Sequence, residues 1–167
     1  MAAGGTRALD ELVRAGVPHA VHEYEIHRPA RSGRGRRPAW GDDAAAALGV
    51  DPARIHKTLI AVVDGRVTVA IVPVAAELDL KGLAAAVGGR RAALADPAEA
   101  ERATGYVRGG ISPLGQVRRL PTVLDAAALG LASIYVSAGR RGLQVELAPA
   151  DLARLTDAVV VSIARPG

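Results

Sequence analysis

Cysteine and phenylalanine are both missing from the chain, which also has one Trp, one Met and three Tyr. Without thiols there is no disulfide, no thiolate metal site and no cysteine nucleophile supplied by the protein. With aromatics at 2%, Val, Leu, Ile and Ala must build the core, and a stacking platform of several rings is excluded. Lysine is scarce too: Lys57 and Lys81 are the only two, and arginine carries the rest of the positive charge. No stretch approaches the roughly 18 consecutive apolar residues of a membrane span. Met1 to Leu12 contains Asp10 and Glu11 and no apolar run, unlike a signal peptide. A soluble, cytoplasmic protein is expected.

What is present points to a globular chain. Its 167 residues are 50% apolar and 23% charged, enough to bury a core, and the length suits one domain spanning residues 1–167. The net charge of +4 permits a polyanionic partner without requiring one.

Thr6 to Ala15 reads as a helix with Leu9, Leu12 and Val13 on one face, ended by Gly16. His19 to Ile26 alternates as a strand does. Arg28 to Arg37 holds five arginines among Gly, Ser and Pro and reads as a basic loop. Asp42 or Asp43 can cap a helix running to Leu48. Lys57–Val63 and Val67–Val72 are β-branched runs joined by Asp64-Gly65, a hairpin signal. Asp79 caps one further helix, and Asp96, Pro97 and Glu99 open another that ends at Gly105. Strands follow at Leu120–Leu124, Ser133–Val136, Leu143–Leu147 and Val159–Ile163, with a helix beginning at Asp151. Hairpins and isolated helices without regular β-α-β alternation predict an α+β domain, its mixed sheet barrel-like and flanked by helices.

Standard catalytic motifs are absent. No Gly-rich loop ends in Gly-Lys-Ser/Thr, and no His-Glu-x-x-His occurs. His19 and His22 fall on opposite faces of a strand, poor geometry for a metal; no metal and no cofactor are expected. The segment Gly109-Gly110-Ile111-Ser112-Pro113-Leu114-Gly115 is unusual in its three glycines. A serine nucleophile at Ser112 would draw an oxyanion donor from the next N–H, and Pro113 has none. The glycines instead allow a ligand close to main-chain groups, although composition alone favours a plain structural turn. Lys57 at the head of a strand, and Ser137 before the Gly139–Gly142 turn, are each ordinary in isolation.

Taken together these segments resemble the YbaK/EbsC family of aminoacyl-tRNA deacylases, related to the editing domain of bacterial prolyl-tRNA synthetases. The matching stretches are His56-Lys57-Thr58-Leu59, Leu78-Asp79-Leu80-Lys81, Ala95-Asp96-Pro97, the block from Thr104 to Gln116, Arg119-Leu120-Pro121-Thr122, and Val136 to Leu143. The resemblance covers roughly Val17 to the C-terminus and is strongest to the free-standing Cys-tRNA(Pro) branch. It implies an α+β domain that hydrolyses the ester of a mischarged aminoacyl-tRNA. Lys57, Gly109 and Ser137 fall on the family's catalytic positions. Tyr24, Thr58, Gly110, Ile111, Ser112 and Gly139 would bind substrate, and Arg31, Arg34, Arg36 and Arg37 would contact tRNA. The implied partners are the tRNA(Pro) acceptor end and prolyl-tRNA synthetase. In the cysteine-specific branch the substrate's own thiol would attack its ester, leaving positioning and electrostatics to the protein. The alternatives are a non-catalytic module binding aminoacyl-tRNA or nucleotide, and an Ala-tRNA(Pro) deacylase. Three departures stand out: an Arg28–Arg37 loop longer and more basic than the family usually has, His56 where relatives often have an aromatic, and Gln144 where close relatives can have an acid.

Overall fold

The structure, a computed structural model, describes residues 5–26 and 40–167. The arginine loop at 28–37, with Arg31, Arg34, Arg36 and Arg37, lies outside the described residues. In chain order the elements are α1 (Arg7–Ala15), β1 (Ala20–Glu23), α2 (Trp40–Leu48), β2 (His56–Val63), β3 (Arg66–Pro73), β4 (Ala76–Leu78), α3 (Leu80–Ala86) and β5 (Ala92–Leu94). They continue with α4 (Pro97–Thr104), β6 (Thr122–Asp125), β7 (Ile134–Ser137), β8 (Leu143–Leu147), α5 (Pro149–Thr156), β9 (Val159–Val161) and β10 (Ala164–Pro166).

A five-stranded sheet in the order β5-β2-β3-β6-β9 forms the centre. Its β5/β2 and β2/β3 pairs are antiparallel, whereas β3/β6 and β6/β9 are parallel, so the sheet is mixed as expected. An antiparallel sheet β1-β8-β7 and a two-stranded pair β10-β4 complete the architecture. One parallel bridge, Ile55 to Tyr135, ties β7 to the head of β2. The sheets therefore curve around a common core without closing into a continuous barrel.

Strand alternation divides the apolar residues between the two faces of the central sheet. Ile60, Val69, Ile71 and Leu124 point to one side and pack with Leu12, Val136, Val145 and Leu152. Ala61, Val63, Ala70, Val72 and Val123 point to the other and pack with Leu83 and Ile163. Small aliphatic side chains thus fill the interior, as the lack of aromatics requires.

Local signals placed most elements correctly. The β2–β3 turn puts Asp64 at φ 48° and Gly65 at φ 83°, the paired left-handed conformations of a two-residue hairpin. Asp79 and Asp96 each accept an N–H three residues on, from Gly82 and Glu99.

One helix face and several boundaries differ from expectation. Val13 is 69% exposed, while Ala8 is buried; at about 100° per residue Ala8 lies beside Leu12, which moves the buried stripe off Val13. Only Ala20–Glu23 pair as β1, because the antiparallel partner β8 begins at Leu143, opposite Glu23. Helix α2 begins at Trp40, which places Asp42 and Asp43 inside its first turn. Helix α5 starts at Pro149 rather than Asp151, because proline's fixed φ suits the first helical turn.

Candidate functional site

Strand β5 covers only Ala61–Val63 of β2, the Ala95 N–H just beyond it donates to the Ile60 carbonyl at 2.9 Å, and the Ile55–Tyr135 bridge holds the head of the strand. Between them, the first half of β2 presents an open edge. A cavity of about 710 Å³ occupies that opening, with Tyr24, Lys57, Thr58, Gly109, Ile111 and Ser137 in its wall. Six of the nine catalytic or substrate-binding residues expected from sequence therefore converge from four separate segments. Lys57 and Thr58 point to opposite faces of β2, yet both border the cavity because it opens at the strand's edge.

Lys57 is half-buried, and its Nζ donates to the Val74 carbonyl at 3.4 Å. Ser137 ends β7, facing Gln144 across the β7–β8 ladder. Its Oγ accepts from the Gly139 N–H at 3.3 Å. Tyr24 follows β1 and is anchored by its own N–H to the Gly142 carbonyl at 3.0 Å.

The Gly109 loop is held from behind. Tyr106 Oη donates to the Leu114 carbonyl at 2.6 Å, and burial pushes the phenol up to about 12. Arg7 Nε donates to the Gly115 carbonyl at 2.9 Å. Gly109 itself sits at φ 87°, a left-handed conformation that glycine adopts without strain. It turns the chain so that Gly109 and Ile111 meet the cavity.

Gly110, Ser112 and Gly139, expected to bind substrate, are not among the residues that line the cavity. A Cβ on Gly110 would lie 2.7 Å from Arg140 Cα, so this glycine lets the loop pack on the 137–142 turn. Ser112 is fully buried, and its Oγ accepts from the Leu114 N–H at 3.2 Å, closing a tight turn. Gly139, at φ 105°, has Tyr106 Cε1 2.9 Å from where a Cβ would sit. These three fix the relative position of the two segments that carry Gly109 and Ser137.

His56, Gln144, Arg108 and Glu77 also line the cavity and were not expected as site residues. The signal for Gln144 was legible: the turn after Ser137 dictates the hairpin register that sets Gln144 opposite it. His56 is 2% exposed. Burial lowers its pKa, partly opposed by the hydrogen bond to the Arg54 carbonyl and the charge of Asp125. Its Nδ1 lies 3.3 Å from that carbonyl; a carbonyl only accepts, so Nδ1 carries the proton and Nε2 the lone pair. Glu77, at the rim, pairs with Arg165 at 3.7 Å. Among the described residues no cluster of three or more His, Asp or Glu could hold a metal ion.

A second polar group lies nearby on β8. Glu146 accepts from Arg54 at 2.9 Å, from Ser133 at 2.5 Å and is 3.1 Å from His22 Nε2. The Ser133 hydrogen bond is the largest influence holding its carboxyl below the usual range. This network joins β1, β7 and β8 to the turn before β2.

The fold and site together define an α+β domain whose cavity is built from a strand edge, a glycine loop and one lysine. Residues 39–155 match the aminoacyl-tRNA editing domain family. The chain belongs to that family. It is 41% identical over 161 residues to EbsC of Enterococcus faecalis, named as a Cys-tRNA(Pro)/Cys-tRNA(Cys) deacylase, covering 91% of this chain and 88% of that protein. A proline–tRNA ligase of Acidithiobacillus ferrooxidans is 32% identical over 101 residues, 60% of this chain and 18% of the ligase. Among solved structures, the hypothetical protein APE2540 superposes with a TM-score of 0.82 at 25% identity, covering 96% of this chain and all of that one. A structure assigned as a trans-editing enzyme for prolyl-tRNA synthetase gives 0.75 at 26% identity, with 95% of both chains covered.

Proposed function

We propose that this chain is a free-standing editing hydrolase that cleaves the ester of mischarged aminoacyl-tRNA, Cys-tRNA(Pro) foremost. The observation that carries the reading is the convergence of Lys57, Gly109, Ser137 and Tyr24 on one cavity. The kinship to a protein named as a Cys-tRNA(Pro)/Cys-tRNA(Cys) deacylase supports the substrate. We take residues 1–167 as one editing domain acting in the cytoplasm, alongside prolyl-tRNA synthetase.

Each residue then has a modest task. Lys57 stabilises negative charge developing on the ester oxygen or neutralises the terminal phosphate. Gly109 brings the main chain against the substrate, and Ser137 donates a hydrogen bond to it. Ser112, buried behind the wall, takes no part. The cysteinyl thiol supplies the nucleophile: its sulfur bonds to the ester carbon, the carbon–oxygen bond to the ribose breaks, and the ribose oxygen leaves as a hydroxyl with the thiol's proton. The resulting thiolactone is then opened by water. Positioning a reacting pair in this way supplies several kcal/mol of barrier lowering.

Arg31, Arg34, Arg36 and Arg37 are assigned to the tRNA backbone, an interaction that weakens as salt rises. The deciding experiment is release of amino acid from a panel of charged tRNAs by the purified protein. Turnover of Cys-tRNA(Pro) above that of correctly charged Pro-tRNA(Pro) is expected. Binding without turnover would replace this reading with that of a non-catalytic aminoacyl-tRNA module.

A further inference from the structure

Among the described residues three buried side-chain polar atoms have no hydrogen-bond partner: His56 Nε2, Thr58 Oγ1 and Gln144 Oε1. All three residues line the same cavity. His56 is 2% and Gln144 7% exposed, so bulk solvent barely reaches either side chain. Buried polar groups are ordinarily paired, and these three exceptions all belong to residues of one cavity wall.

The chemistry of the set is acceptor-rich. Nε2 of His56 holds a lone pair because Nδ1–H is spent on the Arg54 carbonyl. Gln144 Oε1 can only accept, and the Thr58 hydroxyl can do either. The ligand group must therefore donate. Two donors are available on an esterified amino acid: the α-ammonium, common to all, and a side-chain S–H or O–H, present on few. Lys57 and Arg108 are the cations of the wall, and its one acid among the described residues, Glu77, is paired with Arg165 at the rim. That field opposes an ammonium and leaves a neutral donor as the better fit.

Resting on the editing reading above, we propose that Thr58, Gln144 and His56 are specificity-determining residues. They select aminoacyl esters whose short side chain ends in a thiol or hydroxyl and disfavour alanine. An apolar side chain would cover these atoms and leave them unpaired, whereas a thiol or hydroxyl relieves them once Thr58 and Gln144 rotate toward it. Serine is the informative comparison. Serine and alanine both lack the thiol nucleophile, so their ratio reports recognition and not attack.

The test links serine and alanine to one tRNA(Pro) through a non-hydrolysable amide and measures the affinity of each as its inhibition constant against Cys-tRNA(Pro) turnover. The parent is expected to favour serine by about tenfold or more. Thr58→Val with Gln144→Leu, nearly isosteric, should collapse that ratio about tenfold, whereas Thr58→Ser should retain it. Thermal midpoints give a second readout: removing an unpaired buried polar atom should leave Tm unchanged or raised. A drop in Tm with an unmoved ratio assigns these side chains a structural role and overturns the proposal. An equal loss on both analogues, the signature of α-ammonium binding, also overturns it. A parent that neither turns over the cysteinyl ester nor binds either analogue defeats the editing reading and this inference together. Activity on the cysteinyl ester with no preference for serine over alanine defeats the inference alone.

Discussion

Glu146 and Gln144 stand two residues apart on one face of β8, yet their surroundings are opposite in kind. Glu146 has Arg54, Ser133 and His22 around it, contributed by three other segments. Gln144, facing Ser137 across the ladder, leaves its Oε1 without a partner. The first end of the strand is finished by the chain itself; the second opens on the cavity. A satisfied polar network joins strands, and an unsatisfied one leaves hydrogen-bonding capacity beside the cavity. Substitutions at the two ends should accordingly move different observables: stability at one, turnover at the other.

The largest effect belongs to the open end. Lys57→Ala should lower deacylation about 100-fold or more, the scale seen when a charge-stabilising group is lost, while the thermal midpoint stays near the parent's. A strand-head lysine contributes mainly its stem to packing. Lys57→Arg should also be impaired, since a planar fork does not replace a compact ammonium. Steady-state kinetics with Cys-tRNA(Pro), paired with a melting curve, checks both. A folded Lys57→Ala variant with near-normal turnover would remove this residue from the site.

Next in size is the glycine loop, where the comparison can be sharpened within seven residues. Gly109→Ala introduces a side chain at φ 87°, a conformation costing about 1–2 kcal/mol for L-residues, and displaces the main chain that meets the substrate. About tenfold or greater loss of activity is expected. Ser112→Ala removes the acceptor for the Leu114 N–H and should lower stability more than kcat. If Ser112→Ala is instead the inactive variant, the assignment of the chemistry to main chain fails.

At the closed end, Glu146→Ala leaves Arg54, Ser133 and His22 without their shared acceptor. A loss of about 1–2 kcal/mol is expected, read as a lower midpoint in urea. Turnover per folded molecule should be little changed. A variant that melts like the parent but turns over slowly would place Glu146 with the site and dissolve the contrast.

The two ends also differ in how far the sequence disclosed them. The turn glycines, the Asp caps and the β-branched hairpin are local signals, and they located β2, β3, α3 and α4 to within a residue or two. Lys57, Gly109, Ser137 and Tyr24 could be singled out because their segments resemble a known family. Their meeting in one cavity depends on β5 stopping short of the head of β2, a long-range pairing without a local signature. Strands β4, β5 and β10 have three residues each, too short for alternation to register. Gly110, Ser112 and Gly139 shared the motif with residues of the cavity wall; only packing separates a glycine that borders the cavity from one that meets Arg140 or Tyr106. The Glu146 network was invisible for the same reason, since Arg54 and His22 reach it from distant positions.

The smallest effect tests whether His56 belongs to the open end. Burial holds its imidazole below the ordinary value of 6.5, against the opposing influences of the Arg54 carbonyl and the Asp125 charge. Between the folded pKa and 6.5 the unfolded chain therefore binds more protons than the folded one, and stability must fall as pH falls through that interval. Above 6.5 the contribution is fully present; below the folded pKa it is spent. Urea unfolding measured from pH 7.5 to 5 should show this decline in the parent and a flatter profile in His56→Gln, the difference staying below about 1.4 kcal/mol per pH unit. Occupying the cavity with a non-hydrolysable seryl ester analogue should steepen the parent's decline further, because a ligand donating to Nε2 favours the neutral ring. An analogue that leaves the two profiles equally spaced would show that His56 is sealed in the core and would return the open end of the comparison to Thr58 and Gln144 alone.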